Sequence, residues 1–96
     1  MNRDEALSRL RALKPRFADM NIRRLALFGS TARDEAGPDS DVDILIEFAA
    51  RPVGLFEFAR RQRELGEYLG GAVDLVSFDA LVKPRHKHIL DEAVDV

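Results

Sequence analysis

Ninety-six residues and 10.8 kDa are room for one small domain, because two separate cores would each fall below the size at which chains usually fold unaided. Hydrophobic residues are 46% and charged residues 33% of the chain, a globular composition rather than that of a disordered tail. With 15 basic and 17 acidic residues the formal net charge is −2, which argues against autonomous nucleic-acid binding while leaving room for a local basic groove.

The chain starts Met1-Asn2-Arg3-Asp4-Glu5, charged and without an apolar stretch, so no signal peptide is expected. No apolar run approaches the roughly twenty residues of a membrane helix, and no membrane partner is expected. There is no cysteine, which excludes disulfides, thiolate metal sites and a thiol nucleophile and is compatible with the cytoplasm.

Residues 3 to 20 read as a helix: Leu7, Leu10, Leu13, Phe17 and Met20 recur every three or four residues as one apolar stripe. Asn2 followed by Glu5 suggests a cap, and Pro15 a kink or restart. Residues 22 to 28 read as a strand broken by Gly29-Ser30. A short helix over 31 to 36 and a turn over 37 to 40 follow. Residues 42 to 48, Val-Asp-Ile-Leu-Ile-Glu-Phe, read as a second strand. Residues 54 to 69 carry a second amphipathic helix stopped by Gly70-Gly71. Residues 72 to 77 read as a third strand, 78 to 82 as a helical turn, and 85 to 94 as a last helix with Ile89, Leu90, Ala93 and Val94 on its apolar face. The expectation is a single α/β domain over residues 1 to 96: a three-stranded mixed sheet flanked by helices.

Three aspartates interrupt apolar strands. Asp41 and Asp43 are two apart, so they project to one face, with Val42, Ile44 and Ile46 on the other. Two carboxylates so close repel unless a cation or a proton lies between them. Mg²⁺ suits such a pair, since it takes oxygen ligands and completes its shell with water and substrate phosphates. Asp74, in the third strand, can complete a three-carboxylate, two-metal site. Taken singly, an Asp-x-Asp pair is as well explained as a solvated strand end, and Asp74 as an edge-strand charge.

Phe28-Gly29-Ser30 closes one strand and opens a helix. Glycine lets backbone approach a ligand, the helix start offers N–H groups to a phosphate, and the Ser30 hydroxyl adds a donor. Arg33 can reach the same anion through its planar fork. Combined, a phosphate cradle followed after ten residues by Asp-x-Asp, with a later strand carboxylate, is what nucleotidyl transfer requires.

The stretch from Leu25 to Phe48 resembles the signature of the DNA polymerase β nucleotidyltransferase superfamily, and more closely that of the minimal nucleotidyltransferase antitoxins. Gly29 and Ser30 fall on its Gly-Ser, Asp41 and Asp43 on its Asp-x-Asp, and Asp74 on its third carboxylate; Asp34 departs from it, standing where many members carry glycine. The resemblance covers residues 22 to 78. It implies a polymerase β palm-like fold, two Mg²⁺ ions held by Asp41, Asp43 and Asp74, ATP held by Gly29 and Ser30 with Arg33 nearby, and a HEPN-domain toxin, typically an RNase, as partner. It further implies neutralisation of that toxin by transfer of AMP to one of its tyrosines, with Asp74 helping to activate the hydroxyl. A purely steric antitoxin and an enzyme acting on a small molecule or an RNA end are the alternatives.

The remaining candidates read more simply. Lys83, Arg85, His86, Lys87 and His88 form the only basic cluster, expected to be a solvated helix start. His86 and His88 lack a third metal ligand, Glu47 is expected to be a surface charge, and Tyr68 a packing residue.

Overall fold

A computed structural model of the chain describes residues 1–37, 39–81 and 83–96. Pro38 of the expected 37–40 turn and Val82 of the expected 78–82 turn lie outside the described residues. Helix α1 spans Arg3–Arg11. Asn2 caps it, its Oδ1 accepting the Glu5 N–H at 2.8 Å. Asp4 and Glu5 in the first turn and Arg9 and Arg11 in the last complement the helix dipole.

The α-helix ends four residues before Pro15. Proline has no N–H to give the Arg11 carbonyl, and its ring would clash with that carbonyl. Two 3₁₀ turns, Lys14–Arg16 and Ala18–Met20, carry the chain onward. Leu13, Phe17 and Met20 stay buried, because spacings of three and four serve a 3₁₀ path as well as an α-helical one. Asn21 closes the segment in the left-handed region at φ 57°. Its side chain accepts from Ala50 N–H at 2.7 Å and donates to Ala50 O at 3.1 Å, joining this turn to the loop beyond the second strand.

The later elements are β1 (Ile22–Leu27), α2 (Gly29–Ala32), β2 (Val42–Phe48), α3 (Leu55–Leu69), β3 (Val73–Ser77), α4 (Lys87–Glu92) and β4 (Val94–Asp95), with 3₁₀ turns at Phe78–Ala80 and Pro84–His86. The sheet order is β3-β2-β1-β4. Strand β1 is antiparallel to β2 and to β4, while β2 and β3 are parallel. Parallel neighbours need a long crossover, and α3 supplies it. Gly70 ends α3 at φ 80° with its N–H on Gly66 O, as the Gly-Gly stop implied.

The sheet therefore has four strands, not the three expected. The segment expected to be helical through residue 94 leaves the helix after Glu92. Val94 then pairs with Leu27 and Asp95 with Ala26. An unpaired β1 edge would leave backbone groups unsatisfied, and this short strand satisfies some of them. The side chains of Arg11 and Lys14 donate to the carbonyls of Asp95 and Val96, both at 3.2 Å, and tie the strand to the first helical segment. The expected short helix over 31 to 36 also shifts: it begins at Gly29 and ends at Ala32.

One face of the sheet carries the main core. Leu10, Leu25, Leu27, Ile44, Ile46 and Leu65 are fully buried within one cluster with α1 and α3. The other face is mixed. Ala26 and Leu45 are fully buried at its centre, with Arg24, Asp43, Glu47 and Asp74 around them. The segment after β3 returns over this side, with the Phe78 ring 4.0 Å from the Arg24 guanidinium carbon. No described helix is long and apolar enough to cross a membrane.

Candidate active site

The site grows from the register of two parallel strands. Asp43 is the ladder partner of Asp74, so both carboxylates stand on the same face of neighbouring strands roughly 4.8 Å apart. Asp41 lies one residue ahead of β2 and two before Asp43, which places it on the same side. Asp43 is half-buried, and Asp41 and Asp74 are exposed. The structure thus sets Asp43 beside Asp74, with Asp41 on the same side.

Electrostatics reports the same proximity. The Asp43 carboxyl is raised above the ordinary aspartate value, first by burial and then by repulsion from Asp74 and Asp41. The hydroxyl and backbone N–H of Ser30 oppose the rise. Burial and like charge both disfavour the ionised form, and only a hydrogen-bond donor or a cation restores it.

Among the described residues no group of three His, Asp or Glu side chains is gathered closely enough to hold a metal as it stands. The donor set still fits Mg²⁺, which binds through one or two carboxylates and substrate phosphates rather than in a closed protein cage.

Gly29 faces these carboxylates from α2. It has φ +59°, and a Cβ there would lie 2.6 Å from Asp43 Oδ2. Only glycine lets this backbone turn and pass so close to a carboxylate. The first N–H groups of α2 have no acceptor within the helix, as at any helix start. Thr31, buried to 1%, fixes the geometry from beneath: its Oγ1 accepts the Asp43 N–H at 3.1 Å. Reading the sequence missed Thr31. A hydroxyl after Gly-Ser was the one available signal, and it does not by itself point to a strand twelve residues later.

Arg33 is placed differently from the anion-facing position expected. Its guanidinium is engaged by Glu35 at 3.0 Å and Glu92 at 2.9 Å. Hydrogen bonds to these two carboxylates raise its already high pKa. It links α2 to α4, and it would have to release those partners to meet a phosphate. Asp34, the departure from the family signature, sits at φ 59°, a conformation that glycine takes freely and aspartate tolerates better than most residues. Its Oδ1 accepts the Arg3 N–H at 3.0 Å.

The other candidates lie outside the constellation. Glu47 pairs with Arg24 at 3.3 Å and Arg23 at 3.9 Å. Tyr68 donates its hydroxyl to Arg9 O at 2.7 Å, a packing contact between α3 and α1. In the basic cluster, His88 Nδ1 lies 2.9 Å from Arg85 O, and Lys83, Arg85, Lys87 and His88 are exposed.

Comparison with known proteins places the chain in a family. Residues 10–96 match the family described as the nucleotidyltransferase domain. The chain is 40% identical over 84 residues to the protein adenylyltransferase MntA of Thermococcus cleftensis, covering 88% of this chain and 81% of that one. A solved structure assigned as a minimal nucleotidyltransferase superposes with a TM-score of 0.81 at 33% identity, covering 100% of this chain and 97% of that one. The crystal structure of a toxin–antitoxin with AMP-PNP shares the fold, with a TM-score of 0.68 at 20% identity over 99% of this chain and 72% of that one. A matched domain of this extent, on a mixed sheet that sets Asp43 beside Asp74 with a glycine turn against them, means that the chain belongs to the nucleotidyltransferase domain family.

Proposed function

We propose that this chain is a Mg²⁺-dependent protein adenylyltransferase acting as an antitoxin: it transfers AMP from ATP to a tyrosine of a HEPN-domain toxin bound to it in the cytoplasm as a hetero-oligomer. The observation that carries this reading is the pairing of Asp43 with Asp74 across β2 and β3, against a Gly29 backbone with no room for a side chain. The name of the Thermococcus relative and the nucleotide analogue in the toxin–antitoxin neighbour support it.

In this reading Gly29 and Ser30 hold the triphosphate through backbone N–H groups and the Ser30 hydroxyl. Asp41, Asp43 and Asp74 would hold the metal, which supplies neutralisation of phosphate charge and of the attacking and leaving oxygens. Asp74 is exposed at the sheet edge, where it can accept the proton of an incoming phenol. The tyrosine oxygen then bonds to the α-phosphorus, the bond from that phosphorus to the bridging oxygen breaks, and pyrophosphate leaves with the electron pair. Thr31 holds the backbone of Asp43 in place throughout.

Arg33 contributes little to ATP affinity in this account, because its guanidinium already serves Glu35 and Glu92. Arg33→Ala is expected to change the KM for ATP by less than about threefold, as for other exposed ion-pair residues. Pyrophosphate-release kinetics checks this, and a loss well beyond that range would place the guanidinium on the triphosphate.

The test of the activity is intact-mass analysis of a HEPN-domain protein from the same genome, after incubation with the chain, ATP and Mg²⁺. Adenylate-sized additions that vanish with the Asp41→Asn/Asp43→Asn double variant are the expected result. An unmodified partner that still co-purifies would favour a steric antitoxin, and labelling of RNA or a small molecule instead would move the enzyme to another substrate class.

A further inference from the structure

Helix α3 exposes its largest apolar side chains: Leu55 is 80% and Phe56 88% exposed. Further along the helix Leu65 and Leu69 are buried in the core, Phe58 is half-buried and Ala59 and Tyr68 are exposed. Leu55, Ala59, Gln62, Gly66 and Gly70 recur every three or four residues, so they form one stripe about 22 Å long, exposed at its start and closing on the turn into β3 at the half-buried Gly66, where a Cβ would lie 2.9 Å from Gly71 O. Small residues along that stripe open a groove of about 540 Å³, which ends at Gly71, Ala72 and Val73. Its lining is mostly apolar, and Arg63 and Glu67 stand at its rim. Arg60 lies one turn beyond Phe56 and is exposed.

The far end of the groove is what gives it a meaning. Val73 begins β3, and β3 is an edge of the sheet. Asp74 is the next residue, exposed on the opposite face of that same strand. A polypeptide seated along α3 has only one strand to pass round before it meets the carboxylates. Arg63 is paired with Glu67 at 4.0 Å, so the positive charge beside the exposed Leu55 and Phe56 is that of Arg60, and the surface suits a protein with apolar anchors and an acidic group beside them.

We infer that the outer face of α3, from Leu55 and Phe56 to the groove ending at Val73, is the docking surface for the protein that carries the acceptor hydroxyl. This rests on the adenylyltransferase reading above and adds to it where the acceptor protein binds. Leu55 and Phe56 anchor the partner, and the groove leads it to the edge strand that bears Asp74.

The test pairs binding with nucleotide affinity. The Leu55→Ser/Phe56→Glu double variant removes side chains that bury nothing in the core, and Ala59→Trp fills the groove. Titration calorimetry with the same HEPN-domain protein should show each variant binding about tenfold or more weakly, the scale of a lost interface anchor. Affinity for a fluorescent ATP analogue should not change, and Asp43→Asn should bind the partner like the parent chain. If the parent binds the partner without transferring AMP while the α3 variants lose binding, the docking surface stands and the enzymatic reading falls. Variants that bind within twofold of the parent overturn the surface. So does a parent chain that binds no such protein, or a parent dimer that the double variant dissociates while partner binding persists.

Discussion

Asp43→Asn is expected to lose AMP transfer by at least ~10²-fold, the cost of removing one preorganised electrostatic group from a reacting centre, yet to melt at or above the temperature of the parent chain. The two effects share one cause. Burial and the neighbouring Asp74 and Asp41 make the ionised Asp43 costly in the folded state. In the proposed reading a cation held there offsets this cost, and the amide removes both the cost and the ligand. The pH dependence follows from the direction of the shift. A carboxyl whose folded pKa lies above its unfolded value of 3.8 contributes stability that is complete below that value and lost as pH rises through the folded pKa. In metal-free protein the advantage of the variant is therefore largest near neutral pH and shrinks as the solution is acidified past the carboxylate range. Thermal melts from acid to neutral pH in a chelating buffer check this. Added Mg²⁺ should raise the parent's melting temperature and the variant's by less, through linkage. A variant markedly less stable than the parent in metal-free buffer would mean that Asp43 is held chiefly by its hydrogen bonds to Ser30.

Gly29→Ala is expected to impair both fold and chemistry. At φ +59° a side chain strains the backbone, at about 1–2 kcal/mol for an L-residue held in the left-handed region. The added methyl would also sit 2.6 Å from Asp43 Oδ2 and 3.3 Å from its Cγ. Either the carboxylate or the α2 backbone must move. A displacement near 1 Å at a reacting centre costs on the order of 10²-fold in rate, so transfer should fall by about that factor. Gly54→Ala is the control, since a Cβ there meets nothing within 4 Å: Gly54 is the N-cap of α3, so the change should cost no more than about 1 kcal/mol and leave the transfer rate unchanged. Denaturant melts and initial rates of AMP transfer measure both. A Gly29→Ala chain with parental stability and rate would show that Gly29 does not press on Asp43.

Both variants act at residues legible before any coordinates. Gly29, Ser30, Asp41, Asp43 and Asp74 stood out because Gly-Ser, Asp-x-Asp and a lone strand aspartate are unusual in otherwise apolar stretches. Strand β2 was read at its observed limits, since a β-branched run between turn residues leaves little choice. The Asn2 cap and the Gly70 stop were legible because capping is chemistry between residues a few positions apart. Helix α1 was read too long for an equally local reason: the apolar stripe continues to Met20 in 3₁₀ turns whose period the pattern does not separate from that of an α-helix. Strand β4 was missed because two residues have no periodicity, and its existence depends on the open edge of β1.

The sequence by itself determined the family, the mixed α/β class, and the Gly-Ser and Asp-x-Asp pairs on which the expected site is built. Each of these follows from residue type and short spacing. The tertiary structure alone decided that Asp43 and Asp74 share a register, that Thr31 reaches up to the Asp43 backbone, and that Arg33 serves Glu35 and Glu92. It also decided that Leu55 and Phe56 are exposed and that a groove runs from Ala59 to Val73 at the sheet edge. These facts join residues from different elements, and the packing of those elements against one another, which no local pattern encodes, brings them within reach.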